Sequence, residues 1–186
     1  MTMRERPRPD LPDGLEDTLA RATGTDAERL LSRLDELGWT LAVAESLTGG
    51  LVVSSLVEIP GASRVLRGAV VAYATEVKHS VLGVDSALLS DHGPVHPRVA
   101  RQMAEGVRVR LGTEDEPCHV GISTTGIAGP DSPDGQPVGT VHIGVATPLG
   151  TRVASLELSG TRNEIRAMAA RQAVRAALAH AELAAA

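Results

Sequence analysis

Ser46 closes the apolar run Ala42-Val43-Ala44-Glu45 and opens a turn, Leu47-Thr48-Gly49-Gly50, that leads into a helical stretch from Leu51. A strand that passes through a Ser/Thr/Gly turn into a helix exposes its turn serine beside a helix N-terminus. The free backbone N–H groups there favour an anion or a developing oxyanion. Such a position is a seat for a nucleophile. A nucleophilic serine needs a base, and the next polar strand end offers Tyr73 and Lys78. The chain has one tyrosine, one tryptophan and no phenylalanine. A sequence that dispenses with phenylalanine yet keeps a tyrosine near a lysine is expected to need the phenol.

A second Gly-rich turn, Thr124-Thr125-Gly126-Ile127-Ala128-Gly129-Pro130-Asp131, again follows a strand and can hold an anionic group on backbone amides. Two such turns after neighbouring strands converge on one cleft, which makes a phosphate-bearing ligand the expected occupant. Neither turn is a Walker A loop, since no Gly-Lys-Ser/Thr follows. Every assignment has a plainer rival. Ser46 reads equally as a helix cap, Lys78 as an exposed lysine and Tyr73 as a core aromatic. Glu45 either orients the site or caps the turn. Arg162 reaches a phosphate or faces water. His92 and His96 lie four apart, but Gly93 and Pro94 between them break the helix that a zinc pair would need, so no metal site is expected.

The elements that must position these residues follow from capping and periodicity. Thr25-Asp26-Ala27-Glu28 is a capping box, and Leu30, Leu31, Leu34 and Leu37 form one helical face before Gly38. Trp39 to Ala44 reads as a strand, Leu51 to Val57 as a helix, and residues 65–74 as a continuously apolar, central strand. Glu76 to Leu82 is a short helix, and Pro97 starts another with Val99, Met103 and Val107 inward. Three strands follow, His119 to Thr124, Val138 to Ala146 and Thr151 to Leu158, the last two joined as a hairpin. Thr161-Arg162-Asn163-Glu164 caps a long Ala-rich helix that can pack on a partner copy, giving a possible homo-oligomer. The expected fold is α/β, a single-domain α/β/α sandwich around a mixed sheet. Residues 1–24 are Pro- and charge-rich and read as a disordered extension to a domain of residues 25–186.

Composition narrows the function classes. A net charge of −5 without a basic stripe argues against nucleic acid and anionic membranes. The single cysteine, Cys118, reads as a buried thiol in a reducing compartment, and no run resembles a signal peptide or membrane span. The expected location is the cytoplasm.

Four segments in order, Ala44-Glu45-Ser46-Leu47-Thr48-Gly49-Gly50, Tyr73-Ala74-Thr75-Glu76-Val77-Lys78, Gly126-Ile127-Ala128-Gly129-Pro130-Asp131 and Pro137-Val138-Gly139-Thr140-Val141, resemble the C-terminal domain family of the competence/damage-inducible protein CinA. The resemblance spans about Leu30 to Leu183. It implies an α/β/α sandwich that hydrolyses the carboxamide of nicotinamide mononucleotide to nicotinate mononucleotide and ammonia, with no cofactor or metal. Its serine, tyrosine and lysine fall on Ser46, Tyr73 and Lys78. Substrate contacts are expected from Glu45, Leu47, Thr48, Gly49, Gly50 and Thr75, and from Gly126, Ile127, Ala128, Gly129 and Arg162. Thr75 stands where the family usually has Asn, Thr125 where Ser is common, and Leu47 where Cys is frequent. The pyrophosphatase-like domain of longer members is expected to be missing.

The residue types suit that reaction. A lysine desolvated between apolar strands is neutral enough to take a serine proton, which makes Lys78 the base. Tyr73 relays the proton to the departing ammonia or holds the lysine by a hydrogen bond. Amides near Leu47 to Gly50 hold the oxyanion. Two other classes compete with this reading. A short-chain dehydrogenase fails on order, because Gly126 follows Tyr73, and on spacing, because Lys78 is five residues past the tyrosine rather than four. A catalytically silent nucleotide-binding member of the same family is favoured only by Thr75.

Overall fold

The computed structural model describes residues 25–113, 116–132 and 135–185, so the expectation for residues 1–24 lies outside the described residues. Both capping boxes form as the sequence predicts. Thr25 opens α1 (Asp26–Glu36) and Thr161 opens α6 (Arg162–Glu182); each accepts the backbone N–H three residues on, while that residue's glutamate returns to the cap amide. Between them lie β1 (Leu41–Glu45), α2 (Leu51–Val57), β2 (Leu66–Val71), α3 (Thr75–Ser80), α4 (Ser86–His92), α5 (Pro97–Arg110), β3 (Val120–Gly126), β4 (Thr140–Thr147) and β5 (Gly150–Glu157). Helix α4, capped by the Asp85 carboxylate on the Ala87 amide, is additional to those expected.

The five strands form one mixed sheet in the order β2-β1-β3-β4-β5. β1 pairs parallel with β2 and β3, whereas β3, β4 and β5 are antiparallel neighbours. Side-chain alternation sends Leu41 and Val43 into a core shared with α1, α2 and α6, and Ala42 and Ala44 into a second core with α5. The sheet is therefore covered on both faces.

Residues 65–74 do not form a central strand. β2 is an edge, with Arg67 and Val71 exposed, and its apolar run is only half covered. The central strand is β3, whose Gly121 and Ser123 are small because α5 presses on them: a Cβ at Gly121 would lie 2.0 Å from the Ala104 carbonyl oxygen. Small residues here allow close helix–sheet contact, a requirement that hydrophobic counting does not register. On α6, Ala169, Ala173, Ala177 and Ala181 are buried in the chain's own core. No described helix is long and apolar enough to cross a membrane.

β1 sends its outgoing connection to β2 on one side and meets β3 on the other, so the C-terminal ends of β1 and β3 flank the crevice where the strand order reverses. Ligands of open α/β sheets bind in such crevices. Both Gly-rich turns leave from this edge.

Candidate functional site

The turn after β1 is built around a buried carboxylate. Glu45, fully buried, accepts hydrogen bonds from the backbone N–H groups of Gly50 (2.8 Å), Val52 (3.2 Å) and Val53 (2.8 Å). It caps α2 from the end of the neighbouring strand, replacing the side chain that Gly50 lacks as N-cap residue. Three amide donors and the positive end of a helix compensate the buried negative charge. Of the two readings of Glu45, the geometry matches the cap: the buried carboxylate takes three amides of the α2 N-terminus and does not line the cleft.

Ser46, mostly buried, lies immediately beyond. Its backbone N–H donates to Thr124 on β3 and its carbonyl accepts from Gly49, which closes the turn. Gly49 (φ +58°) and Gly50 (φ +100°) both take the left-handed conformation this tight return requires. Lys78 rises from α3 on the buried side of that helix, 1% exposed, and donates from Nζ to Ser46 Oγ at 3.0 Å, to the Ala72 carbonyl at 2.7 Å and to the Tyr73 carbonyl at 3.3 Å. Burial lowers its pKa from 10.5 to about 8, with the Glu76 carboxylate opposing part of the shift. A sizeable fraction of Lys78 is thus neutral near physiological pH, and its lone pair can accept the Ser46 proton.

Tyr73 is placed differently from its expected role. It is 62% exposed, and its contact with Lys78 runs through the backbone carbonyl. The phenol accepts instead from Arg162 Nη2 at 3.0 Å, while Nη1 of the same guanidinium donates to the Gly129 carbonyl at 2.6 Å. The phenol neither holds the lysine nor sits in a hydrogen-bonded relay with it. Arg162 occupies the first turn of α6, where the helix dipole disfavours a cation. Its placement against local preference serves to span the cleft mouth.

The second turn folds so that Ile127 donates to Thr140 and accepts from Gly139. Among the described residues no acceptor takes the N–H groups of Leu47, Thr48, Ala128 or Gly129, whereas those of Gly49 and Gly50 are spent on Ser46 and Glu45. The amides open to a ligand are therefore fewer than the two turns suggest. Gly129 has φ +80°, and a Cβ there would meet Val138 at 2.8 Å, so the glycine serves the fold as well as the cleft. Thr75 starts α3 outside the cleft lining, and Thr125 Oγ1 donates to the Pro94 carbonyl, tying the loop before α5 to β3.

One cleft gathers Ser46, Leu47, Tyr73, Lys78, residues 125–129 and Arg162, together with Pro94, Val95 and Asp131. Pro94 and Val95 escaped the sequence reading, as did Arg166, whose Nε and Nη2 donate to the carbonyls of Leu47 (2.9 Å) and Thr48 (3.1 Å). The available signal was periodicity. Arg166 lies four residues before Ala170 and seven before Ala173, on the stripe of α6 that is otherwise apolar and buried. His92 and His96 stack at 4.7 Å at the junction of α4 and α5, and no described cluster of His, Cys, Asp or Glu has metal-binding geometry.

The family model of the CinA C-terminal domain matches residues 24–181. The chain belongs to that family. A CinA-like protein of Frankia casuarinae is 51% identical over 140 residues, which cover 75% of this chain and 31% of the relative. A putative competence-damage inducible protein of Caldanaerobacter subterraneus subsp. tengcongensis is 49% identical over 141 residues, 75% of this chain and 33% of the relative. The CinA-family chain described here thus spans about a third of the length of the curated relatives it matches. Among solved structures, the competence/damage inducible protein CihA of Agrobacterium tumefaciens superposes with a TM-score of 0.76 at 32% identity, covering 83% of this chain and 92% of the other. A CinA superfamily protein of Klebsiella pneumoniae gives 0.76 at 28%, covering 84% and 99%. This CinA domain therefore corresponds to nearly the whole of these solved proteins.

Proposed function

We propose that this CinA domain is an amidohydrolase that converts nicotinamide mononucleotide to nicotinate mononucleotide and ammonia. The observation that carries the reading is the 3.0 Å bond between Ser46 Oγ and the desolvated Lys78 amine. A plain helix-cap serine needs no buried lysine, and an exposed structural lysine would not be buried. The substrate follows from the family resemblance, and the cleft chemistry suits it. Leu47, Val95 and Ile127 offer apolar walls for a flat aromatic ring, and Arg162 at the mouth, with the open amides of Ala128 and Gly129, offers donors for a phosphate.

In this mechanism Ser46 Oγ attacks the carboxamide carbon while its proton passes to the neutral Lys78 amine. The tetrahedral oxyanion accepts from the Leu47 N–H beside it. Collapse breaks the C–N bond as the Lys78 ammonium gives the proton to the leaving –NH2 nitrogen, which departs as ammonia. Water then attacks the acyl-serine, giving a proton to Lys78; as the acyl C–Oγ bond breaks, Lys78 returns that proton to Ser46 Oγ, and nicotinate mononucleotide leaves with both residues restored. The tyrosine acts at the mouth, where its phenol and Arg162 together frame the substrate.

The dyad also weighs against the silent nucleotide-binding reading, since the hydrogen bonds of Lys78 go to Ser46, Ala72 and Tyr73 and Thr75 does not line the cleft. The test is product analysis with purified protein. Equimolar ammonia and nicotinate mononucleotide support the assignment. Tight binding of nicotinamide mononucleotide without turnover would favour the silent reading.

A further inference from the structure

Arg166 holds the two backbone carbonyls that follow Ser46, a segment that the Glu45 carboxylate does not reach. Its Nε–H takes the Leu47 carbonyl and its Nη2–H the Thr48 carbonyl. In a planar trans peptide, fixing a carbonyl also fixes the N–H of the next residue on the opposite side. Arg166 therefore sets the peptide planes between Leu47 and Thr48 and between Thr48 and Gly49. The second of these carries the Gly49 N–H, which donates to the Ser46 carbonyl at 3.1 Å. That bond sets a third plane, between Ser46 and Leu47, whose N–H belongs to Leu47. The Leu47 N–H has no acceptor among the described residues, and Leu47 lines the cleft beside Ser46. Gly49 is shaped to receive the guanidinium, since a Cβ at that position would lie 3.3 Å from Nη2.

We propose that Arg166 is a positioning residue that aims the Leu47 amide at the oxyanion formed when Ser46 attacks. The inference rests on the reading of Ser46 as a nucleophile, but not on the identity of the substrate. Arg166 does not touch the reacting atoms. It acts through the turn, and the planar two-pronged guanidinium suits the task because two carbonyls on successive peptides must be held at once. A lysine, as a point charge, can hold one of them.

The test is the rate at which Ser46 is labelled by a biotinylated fluorophosphonate, a probe that needs no knowledge of the substrate. Ser46 Oγ attacks phosphorus, fluoride leaves, the hydroxyl proton passes to Lys78, and the phosphoryl oxygen occupies the oxyanion position. Wild type, R166A, R166K and R166Q are compared, with the labelled peptide identified by mass spectrometry and melting temperature followed in parallel. Removing one oxyanion donor lowers rates about 100- to 1000-fold, so loosening one should slow R166A labelling at least tenfold. R166K should lie between, and free guanidinium should restore part of the R166A rate. A merely structural role would lower the melting temperature and the fraction of protein that labels, without changing the rate constant of the molecules that do label. Folded R166A, R166K and R166Q that label Ser46 at the wild-type rate would overturn the proposal while leaving the nucleophile intact. Wild-type protein that labels elsewhere or not at all would remove the reading of Ser46 on which it rests.

Discussion

Replacing Lys78 by methionine should stabilise the protein more at neutral than at alkaline pH, because burial lowers the pKa of the lysine. Lys78 has a pKa of about 8 in the folded chain against 10.5 when unperturbed, and burial is the main cause. The unfolded chain therefore binds more protons than the folded one between these values, and stability rises with pH across that window. Below pH 8 the folded state carries the full penalty, about 3 kcal/mol; by pH 9 it has fallen to about 2 kcal/mol, and above 10.5 it vanishes. The methionine variant lacks this penalty. It also loses the bonds to Ser46, Ala72 and Tyr73, but that loss varies little with pH. The difference in unfolding free energy between variant and wild type should thus shrink by about 1 kcal/mol between pH 6.5 and pH 9. Urea denaturation of both proteins at the two values measures it, and titrations common to both cancel. A difference that does not change with pH would show that Lys78 keeps an ordinary pKa and would remove the physical basis for its role as a base.

The same group governs rate: kcat/KM should rise roughly tenfold between pH 7 and pH 9, with a midpoint near 8, and a flat profile would point to another base. Ser46→Ala and Lys78→Ala should each abolish turnover and the double variant should lose little more, because the two share one proton transfer; multiplicative losses in kcat would make them independent contacts. Tyr73→Phe should act chiefly on KM, since the phenol bonds Arg162 rather than the lysine; a kcat collapse equal to that of Lys78→Ala would restore it to the proton path. Glu45→Ala should destabilise the fold by roughly 3 kcal/mol or more, because three amide donors lose their acceptor and each unmade bond costs about 1–3 kcal/mol; chemical denaturation checks it, and a change below about 1 kcal/mol would show the α2 cap to be dispensable.

Much of the architecture was legible because local chemistry decided it. The two capping boxes place α1 and α6, Pro97 opens α5, and turn chemistry separates β4 from β5. The meeting of Ser46 with Lys78 was legible for a different reason: Ser46 follows the end of β1, and Lys78 sits on the short helix that follows its neighbour β2 at the same edge of the sheet. Less legible was whatever depends on neighbours distant in sequence. The edge position of β2 is set by the strand order, which an apolar run does not encode, and β3 hides its centrality behind small residues that admit α5. Glu45 could be read as a cap or a ligand until the helix it caps was placed across the end of β1. Tyr73 and Lys78 are neighbours in sequence, yet Arg162, 89 residues away, captures the phenol. Arg166 was visible only as a charge on an apolar stripe, the kind of local inconsistency that marks functional sites.

The central claim is that Ser46, activated by Lys78, hydrolyses the carboxamide of nicotinamide mononucleotide. It is tested most directly by steady-state ammonia release from that nucleotide at pH 8, comparing wild type with Ser46→Ala under conditions where both are folded and bind the nucleotide. Robust release by wild type and none above background by the variant is the predicted result. Near-wild-type release by Ser46→Ala would contradict the account.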